Sequence, residues 1–270
     1  MNAQPATKIQ EERPYFSHSS ISTFRRCPRQ YFYKYALCLP EEHRSSALAF
    51  GSSTHAWLAK YFRQRKDRGS VPEAQELKDC FVDSWNFELD NPVPVLFSEK
   101  ETADSLKDTG VKLVDVFLQN QPKDIGKIIA IEEKFLADIT DPGTGEVIEE
   151  EFLGYWDLVT EKDKVFTIWE HKTGARRYST SQLENMLQLS GYGYAGHSLG
   201  LGQPSLKVNL LIKTKTPQYQ HLSTTRNEAD YRDFIQTVIG VLASIKAGAD
   251  YPVRDWWCQG CSYAAKCTAG

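Results

Sequence analysis

Three charged side chains interrupt two otherwise apolar segments near the middle of the chain. Asp157 lies in the segment EFLGYWDLV, and Glu170 and Lys172 close the segment KVFTIWEHK. Side chains alternate across a β-strand, so Glu170 and Lys172 share a face with Phe166 and Ile168. The other face of this segment is also largely apolar, which indicates an interior strand covered on both sides. A carboxylate and an ammonium at the end of such a strand indicate a chemical site.

The turn between the two segments decides whether Asp157 and Glu170 meet. A regular two-residue turn at Lys162-Asp163 sets Asp157 opposite Ile168 and diagonal to Glu170, on the same face of the sheet. The backbones across such a diagonal are about 7–8 Å apart, within reach of two carboxylates that share a cation. A turn with an odd number of residues and no bulge would send the two side chains to opposite faces. Because Lys162-Asp163 is not a favoured turn sequence, this register is a hypothesis.

Two neighbouring carboxylates repel each other unless a cation offsets their charge, and their oxygens suit Mg²⁺ or Mn²⁺. Such a metal would polarise a phosphoryl oxygen and lower the pKa of a bound water. Lys172 would stabilise the developing negative charge or assist proton transfer. The pattern therefore predicts metal-dependent phosphodiester hydrolysis. The alternative is a structural ion pair, in which one acid neutralises Lys172 at the rim of the sheet.

Helical and strand periodicities alternate along the chain. Helices are predicted at about 20–36, 53–67, 73–89, 100–119, 181–199 and 227–247. Strands are predicted at about 127–139, 151–160, 164–172 and 206–216, with a turn at 141–145. This order predicts an α/β fold, with α+β as the alternative, in which helices flank a central mixed sheet.

The composition limits the class of protein. With 270 residues and 41% hydrophobic content the chain can bury a sizeable core, and no linker or repeat divides it. We therefore predict one domain over residues 1–270, with a disordered tail at 1–14. The net charge of -3 gives no overall attraction to nucleic acid, so binding must use local basic patches. No signal-peptide core or long apolar run occurs, which predicts a soluble, cytoplasmic protein that does not bind membranes.

The cysteines form a metal-binding pattern. Cys258, Cys261 and Cys267 lie within ten residues of one another, and Cys27 comes from the other end of the chain. Disulfides are rare in the cytoplasm, so clustered thiols indicate a metal. This spacing suits zinc and an iron-sulfur cluster alike. The remaining cysteines, which are predicted to be small buried side chains, are Cys38 and Cys80.

The motif Gly154-x-x-Asp157 followed by Glu170-x-Lys172 resembles the core of the PD-(D/E)XK nuclease superfamily. It is most similar to the RecB-like branch, which contains the CRISPR-associated adaptation exonucleases and the AddB nuclease module. Glu170 stands where an aspartate is more usual in that family, so the placement of the metal is expected to differ slightly. The resemblance implies a restriction-endonuclease-like core.

Two further motifs agree with this branch. A histidine precedes the aspartate, and His55 in FGSSTHAWL shares an inward helical face with Leu58 and Phe62. A Q-x-x-x-Y motif follows the second strand as Gln188 and Tyr192 in MLQLSGYGY. Taken alone, such a histidine would be a buried core residue, and the Gln–Tyr pair would be ordinary polar packing between helices.

The resemblance assigns roles to these residues. The implied metal ligands are His55, Asp157, Glu170 and the backbone carbonyl of His171. Lys172 is implied to be the catalytic cation, and Gln188 and Tyr192 are implied to position that lysine and the nucleic acid.

The same branch holds a [4Fe-4S] cluster with one early cysteine and a C-terminal trio. The resemblance thus favours this cluster over zinc and implies that its ligands are Cys27, Cys258, Cys261 and Cys267. It also divides the chain into an iron-sulfur module of residues 17–40 and 250–267 and a helical insertion at 70–125.

Two basic groups are candidates for binding DNA. Arg25 and Arg26 alternate with aromatic residues, and Arg176 and Arg177 follow the second strand of the site. Interleaved cations and aromatic rings suit a single strand, whose phosphates are neutralised while its bases stack. The alternative for the first group is that its aromatic rings pack around the cysteines and its cations are solvated.

Together these features predict a divalent-metal-dependent DNA exonuclease that acts on single-stranded ends. Its protein partners would belong to a recombination or CRISPR adaptation complex, by resemblance. The alternative, from another functional class, is a non-catalytic nucleic-acid-binding or assembly subunit with a structural metal cluster.

Overall fold

The two predicted site strands form a long antiparallel hairpin in a computed structural model that describes residues 13–268. The strands are β5 (Glu151–Lys162) and β6 (Val165–Gly174). The turn is Asp163-Lys164, where φ is 52° and 66°. Positive φ at both positions is the geometry of the two-residue turns that match the twist of a hairpin.

The register of this hairpin corrects the sequence hypothesis. The predicted turn at Lys162-Asp163 is wrong by one position, so the pairing is displaced by two residues. The ladder ends at Leu158–Trp169, and Asp157 and Glu170 are the next residue of each strand. They are therefore opposite one another rather than diagonal. A shift of two residues preserves the face of every side chain, so the predicted shared face is retained.

The hairpin lies within a six-stranded mixed sheet. Its remaining strands are β1 (Tyr15–Ser17), β4 (Lys127–Ala137), β7 (Ser205–Ile212) and β8 (Gln218–Thr224). The order is β1-β5-β6-β7-β8, with β4 also paired to β5. The β1–β5 and β6–β7 pairs are parallel, and the other pairs are antiparallel. The predicted mixed sheet is confirmed. The short strands β2 (Arg44–Ser45) and β3 (Val95–Leu96) pair separately.

Helices cover both faces of this sheet, as predicted. They are α1 (His18–Arg26), α2 (Pro28–Tyr31), α3 (Ser46–Arg68), α4 (Ala74–Leu89), α5 (Ala103–Asn120), α6 (Thr180–Glu184), α7 (Leu187–Ser198), α8 (Glu228–Lys246) and α9 (Ala264–Thr268), with a π-helical turn at Phe32–Ala36 and a 3₁₀ turn at Trp256–Gly260. Buried residues of α1, α7 and α8 pack on one face, and those of α3, α4 and α5 pack on the other. Among the described residues, no helix is long and apolar enough to cross a membrane.

Helix boundaries differ from the sequence prediction where local chemistry intervenes. The helix predicted at 20–36 breaks at Cys27, which is extended with φ -160°. A residue before proline is disfavoured in the helical region, and Pro28 follows. The helix predicted at 53–67 begins earlier, at Ser46, because the Ser45 side chain caps the backbone N–H of Leu48. The helix predicted at 181–199 divides into α6 and α7.

Two smaller expectations are also corrected. Cys38 is exposed rather than buried, and Cys80 is only partly buried. Of the tail predicted to be disordered at 1–14, residues 1–12 lie outside the described part of the chain. Arg13 is described, and it forms a 2.7 Å ion pair with Asp138 and hydrogen bonds to the backbone carbonyl of Ile148.

Candidate active site

Asp157 and Glu170 lie at the point where the β5–β6 ladder ends, on the face that α7 covers. Their relative exposures are 6% and 3%, so both carboxylates are almost removed from water. The backbone N–H of His171 donates a 2.6 Å hydrogen bond to Oδ2 of Asp157. The backbone of one strand thereby holds the carboxylate of the other, and the side chains predicted to converge do so.

Lys172 is held by two acceptors from different elements. Its Nζ lies 2.5 Å from Oε1 of Glu170 and donates a 2.7 Å hydrogen bond to Oε1 of Gln188. The amide nitrogen of Gln188 donates to Oε1 of Glu170 and to Oη of Tyr192, both at 3.0 Å. Gln188 and Tyr192 are one helical turn apart on α7 and so lie on the same face of the helix. Their hydrogen bonds, together with those to Glu170 and Lys172, join α7 and β6 in one network.

His55 reaches the carboxylates from α3, on the other side of the sheet. Its Nε2 lies 3.0 Å from the backbone carbonyl oxygen of His171. Its Nδ1 lies 3.4 Å from Oδ1 of Asp157 and 3.4 Å from Oε1 of Glu132. The structure therefore places His55 next to both Asp157 and the carbonyl of His171.

Glu132, on β4, is a member of this cluster that the sequence analysis missed. Among the described residues, the only group of three or more metal-ligating side chains with ligand atoms within 4.8 Å of one another is His55, Glu132 and Asp157. Two successive glutamates in the apolar strand IAIEEKFLA were the available signal. The alternation of side chains along a strand does not by itself tell which of these two glutamates points toward the site.

The buried charges shift one another's protonation. Burial, together with the charge of Asp157, raises the pKa of Glu170 to about 7. Burial opposes ionisation of Asp157 as well, but the hydrogen bond and charge of His55 outweigh it and lower the pKa of Asp157. For His55 burial favours the neutral ring, yet Asp157 and Glu132 outweigh it and raise its pKa to about 11. Without a metal, the site therefore retains protons that a cation could replace.

One oxygen in the site lacks a partner in the described part of the chain. Oε2 of Glu170 is buried and accepts no hydrogen bond there. A buried acceptor left unpaired costs free energy, so this atom fits a position that a cation would occupy. Two carboxylates, an imidazole and a backbone carbonyl form a donor set that suits Mg²⁺ or Mn²⁺. The residues present thus fit a divalent ion.

The site opens to the surface through a groove. A cavity of about 420 Å³ is lined by the carboxylates, Lys172, Gln188 and the start of α1. A second cavity of about 330 Å³ shares His18, Lys172 and Gln188 with the first and continues along α1 to Arg26. Tyr155 lines the first cavity with 48% of its surface exposed.

The predicted DNA-binding arginines differ in whether they line this groove. Arg26 lines it, and its guanidinium donates to Gln30 on α2, four residues along the chain. Arg25, Arg176 and Arg177 are exposed but are not among the residues that line the groove. The guanidinium of Arg177 donates to Gln218 on β8.

The four patterned cysteines come together away from the carboxylates. Cys27, Cys258, Cys261 and Cys267 line a cavity of about 110 Å³ with Tyr33, Trp257 and Tyr263. Burial raises the pKa of the Cys261 thiol, and the three other cysteines raise it further. No three of these sulfurs all lie within 4.8 Å of one another. Around a single tetrahedral zinc, with bonds of about 2.3 Å, sulfurs would lie only about 3.8 Å apart.

Comparison with solved structures identifies a protein with the same fold. The crystal structure of a protein provisionally described as an exonuclease from Eubacterium rectale matches with a TM-score of 0.55 and 13% identity, over 97% of this chain and 93% of that chain. This likeness shows a shared fold. The crystal structure of SSO0001 gives a TM-score of 0.36 at 13% identity, over 85% of this chain and 88% of that chain, which is too low to support an argument.

No curated protein matches the sequence. A family model, that of the PD-(D/E)XK nuclease superfamily, matches residues 15–268. The match covers nearly the whole chain and includes both strands of the hairpin, the histidine helix and the four patterned cysteines. On this evidence the chain belongs to the PD-(D/E)XK nuclease superfamily.

Proposed function

We propose that the protein is a divalent-metal-dependent DNA exonuclease that acts on single-stranded ends. The observation that carries the proposal is the buried pair Asp157 and Glu170, which face each other beside the ammonium of Lys172 at the base of an open groove. Burying two carboxylates together is unfavourable unless a cation offsets them. Oε2 of Glu170, which lacks a protein partner among the described residues, is the atom best explained by such a cation.

The ion would be held by His55, Asp157, Glu170 and the carbonyl of His171. When bound, Mg²⁺ or Mn²⁺ would supply Lewis-acid polarisation of the scissile phosphate and a water of lowered pKa. Asp157 is already oriented for this role, because the N–H of His171 holds its Oδ2 and leaves Oδ1 free to face His55.

Lys172 would act as a fixed positive charge. Burial lowers the pKa of its ammonium, but Glu170 outweighs burial and raises the pKa. The group therefore stays charged at neutral pH, which suits stabilisation of a phosphate that gains negative charge during hydrolysis. Gln188 accepts a hydrogen bond from Nζ and is itself held by Glu170 and Tyr192, so it would restrict the lysine to one position.

The groove suggests how a single strand would enter. His18, Ser22 and Arg26 follow one another at one-turn intervals on α1 and line the part of the groove that leads away from Lys172. Arg26 would neutralise a backbone phosphate, and the exposed ring of Tyr155 would stack on a base. The preference for free ends rests on the resemblance to the RecB-like branch. The shared fold with the Eubacterium rectale protein, provisionally described as an exonuclease, is consistent with it.

The cysteines would hold a [4Fe-4S] cluster, as in that branch. All four sulfur-bearing side chains line one cavity, which supports a metal group that they share. The segments 17–40 and 250–267 would form one module around it. Arg29 forms an ion pair with Asp250 and donates its backbone N–H to the carbonyl of Tyr251, and the hydroxyl of Tyr263 donates to the carbonyl of Leu39.

The remaining expectations complete the proposal. The chain would form one nuclease domain, in which the insertion 70–125 contributes α4 and α5 against α3. It would act in the cytoplasm, within a recombination or CRISPR adaptation complex. The assignment of partners rests on the resemblance to the RecB-like branch.

The test is degradation of DNA labelled at its 5′ or 3′ end, with Mn²⁺, Mg²⁺ or a chelator. Linear single strands, circular single strands and duplexes would be compared. Asp157→Ala and Lys172→Ala are expected to lose activity. Asp108→Ala and Lys127→Ala, which alter exposed residues of the same types, serve as matched controls.

The proposal requires metal-dependent loss of label from linear single strands and no cleavage of circles. Cleavage of circles would show an endonuclease. Equal activity of the wild type and both site variants would refute the catalytic assignment. Absence of activity in every protein would favour a non-catalytic DNA-binding subunit.

A further inference from the structure

Glu132 has a backbone conformation that is unusual for its position. It lies inside β4, yet its φ is 51°. The register is unchanged across Glu132, with Ile131 paired to Leu158 and Glu133 to Trp156, and the one shift in this ladder lies earlier, between Ile128 and Ala130. A residue other than glycine pays a conformational cost in this left-handed region, and in the middle of a strand that cost persists only when the surroundings enforce it.

The Glu132 carboxylate lies beside the imidazole of His55. Oε1 lies 3.4 Å from Nδ1, while Nε2 on the other side of the ring lies 3.0 Å from the carbonyl of His171. Nδ1 is also 3.4 Å from Oδ1 of Asp157. Under the proposed function, however, Asp157 is itself engaged by the cation. Glu132 is then the carboxylate that remains for Nδ1.

We propose that Glu132 is a positioning residue that accepts a hydrogen bond from Nδ1–H of His55 and so presents Nε2 to the divalent ion. This inference rests on the proposed function. A histidine that binds a metal through one nitrogen is commonly fixed by a carboxylate at the other, which sets the tautomer and the ring orientation. Backbone strain at Glu132 is the structural cost of placing that carboxylate.

The two parts of the inference are tested with three variants. Glu132→Gln keeps an acceptor of nearly the same shape, whereas Glu132→Ala and Glu132→Gly remove it. Calorimetric titration with Mn²⁺ should show affinity within about threefold of wild type for the glutamine variant. It should show an affinity about tenfold to a hundredfold lower for the other two variants.

Thermal unfolding of the metal-free variants measures the strain separately. Alanine and glycine both lack the carboxylate, so comparing them isolates the backbone. Glu132→Gly should melt above Glu132→Ala, because glycine adopts positive φ without cost. The neighbouring pair Glu133→Gly and Glu133→Ala is the matched control. Glu133 does not have a positive φ, so glycine should there melt below alanine.

Each contrary result has a distinct meaning. A glutamine variant as weak as the alanine variant would overturn positioning and make Glu132 a direct ligand. Wild-type affinity in all three variants would also overturn the inference, while leaving the proposed metal site intact. If the glycine variant melts below the alanine variant at position 132, as is expected at position 133, then Glu132 is not strained. Failure of the wild type to bind Mn²⁺ would refute the proposed function, and this role with it.

Discussion

Replacing Cys27 by serine is expected to lower the melting temperature of the protein by about 10–20 °C. Cys27 is the only cysteine that the N-terminal segment contributes to the four-cysteine cavity. Its loss would separate that segment from the proposed cluster, which would still have Cys258, Cys261 and Cys267 as ligands. Serine is nearly isosteric with cysteine, so packing around the 9% exposed side chain should change little.

The magnitude follows from the length of chain that the proposed cluster would close. More than two hundred residues separate Cys27 from Cys258, and the chain-entropy model for a cross-link of that length gives about 5 kcal/mol. For a chain of this size each kcal/mol shifts the melting temperature by about 2–4 °C. The ion pair of Arg29 with Asp250 and the hydrogen bond from Tyr263 to Leu39 remain in the variant, so the upper end of the range is a limit.

The assay is thermal unfolding of anaerobically purified protein, with iron and sulfide content measured on the same samples. Cys38→Ser is the matched control, since Cys38 is exposed and does not line the cavity. The control should melt with the wild type and retain iron. A Cys27→Ser variant that also melts with the wild type would refute the idea that a shared cluster joins the N- and C-terminal segments. Zinc in place of iron in the wild type would refute the cluster.

Three further predictions concern the site and the groove. Mn²⁺ affinity should rise between about pH 6 and pH 8, because the ion must displace protons from two of its ligands. These ligands are His55, whose pKa is raised to about 11, and Glu170, whose pKa is raised to about 7. An affinity that does not depend on pH, with no proton release in calorimetry, would contradict this. Gln188→Leu should reduce kcat about tenfold to a hundredfold with little change in KM, because it removes the hydrogen bond by which α7 holds Lys172. The reverse pattern in steady-state kinetics would assign Gln188 to substrate binding. Arg26→Ala should reduce the salt dependence of single-strand binding by about 0.7 in log–log slope, the effect of one phosphate contact; an unchanged slope in fluorescence titrations would exclude Arg26 from the DNA path.

Periodicity predicted which side chains share a face better than it predicted where chains turn. Asp157 and Glu170 share a face as expected, because parity survives a register shift of two residues. The turn itself was misplaced, since Asp163 and Lys164 adopt positive φ without the Asn-Gly or Asp-Gly signal that marks such turns.

The sequence analysis missed a polar edge strand and a contact between residues that are far apart in the chain. Strand β8, with sequence QYQHLST, pairs with a single neighbour and buries little, so it lacks the apolar pattern of an interior strand. The contact of Glu132 with His55 joins residues 77 positions apart. It follows from the β4–β5 register, which sets Glu132 opposite Asp157 between the pairs Ile131–Leu158 and Glu133–Trp156, and no local pattern in the sequence encodes that register.

The most direct test of the central claim is anomalous diffraction from crystals of the protein soaked in Mn²⁺. We expect a manganese peak bound by Asp157, Glu170, Nε2 of His55 and the carbonyl of His171, and no such peak in the Asp157→Ala variant. Manganese bound elsewhere in the wild type, with Oε2 of Glu170 still without a partner, would contradict a divalent-metal centre at the end of the hairpin.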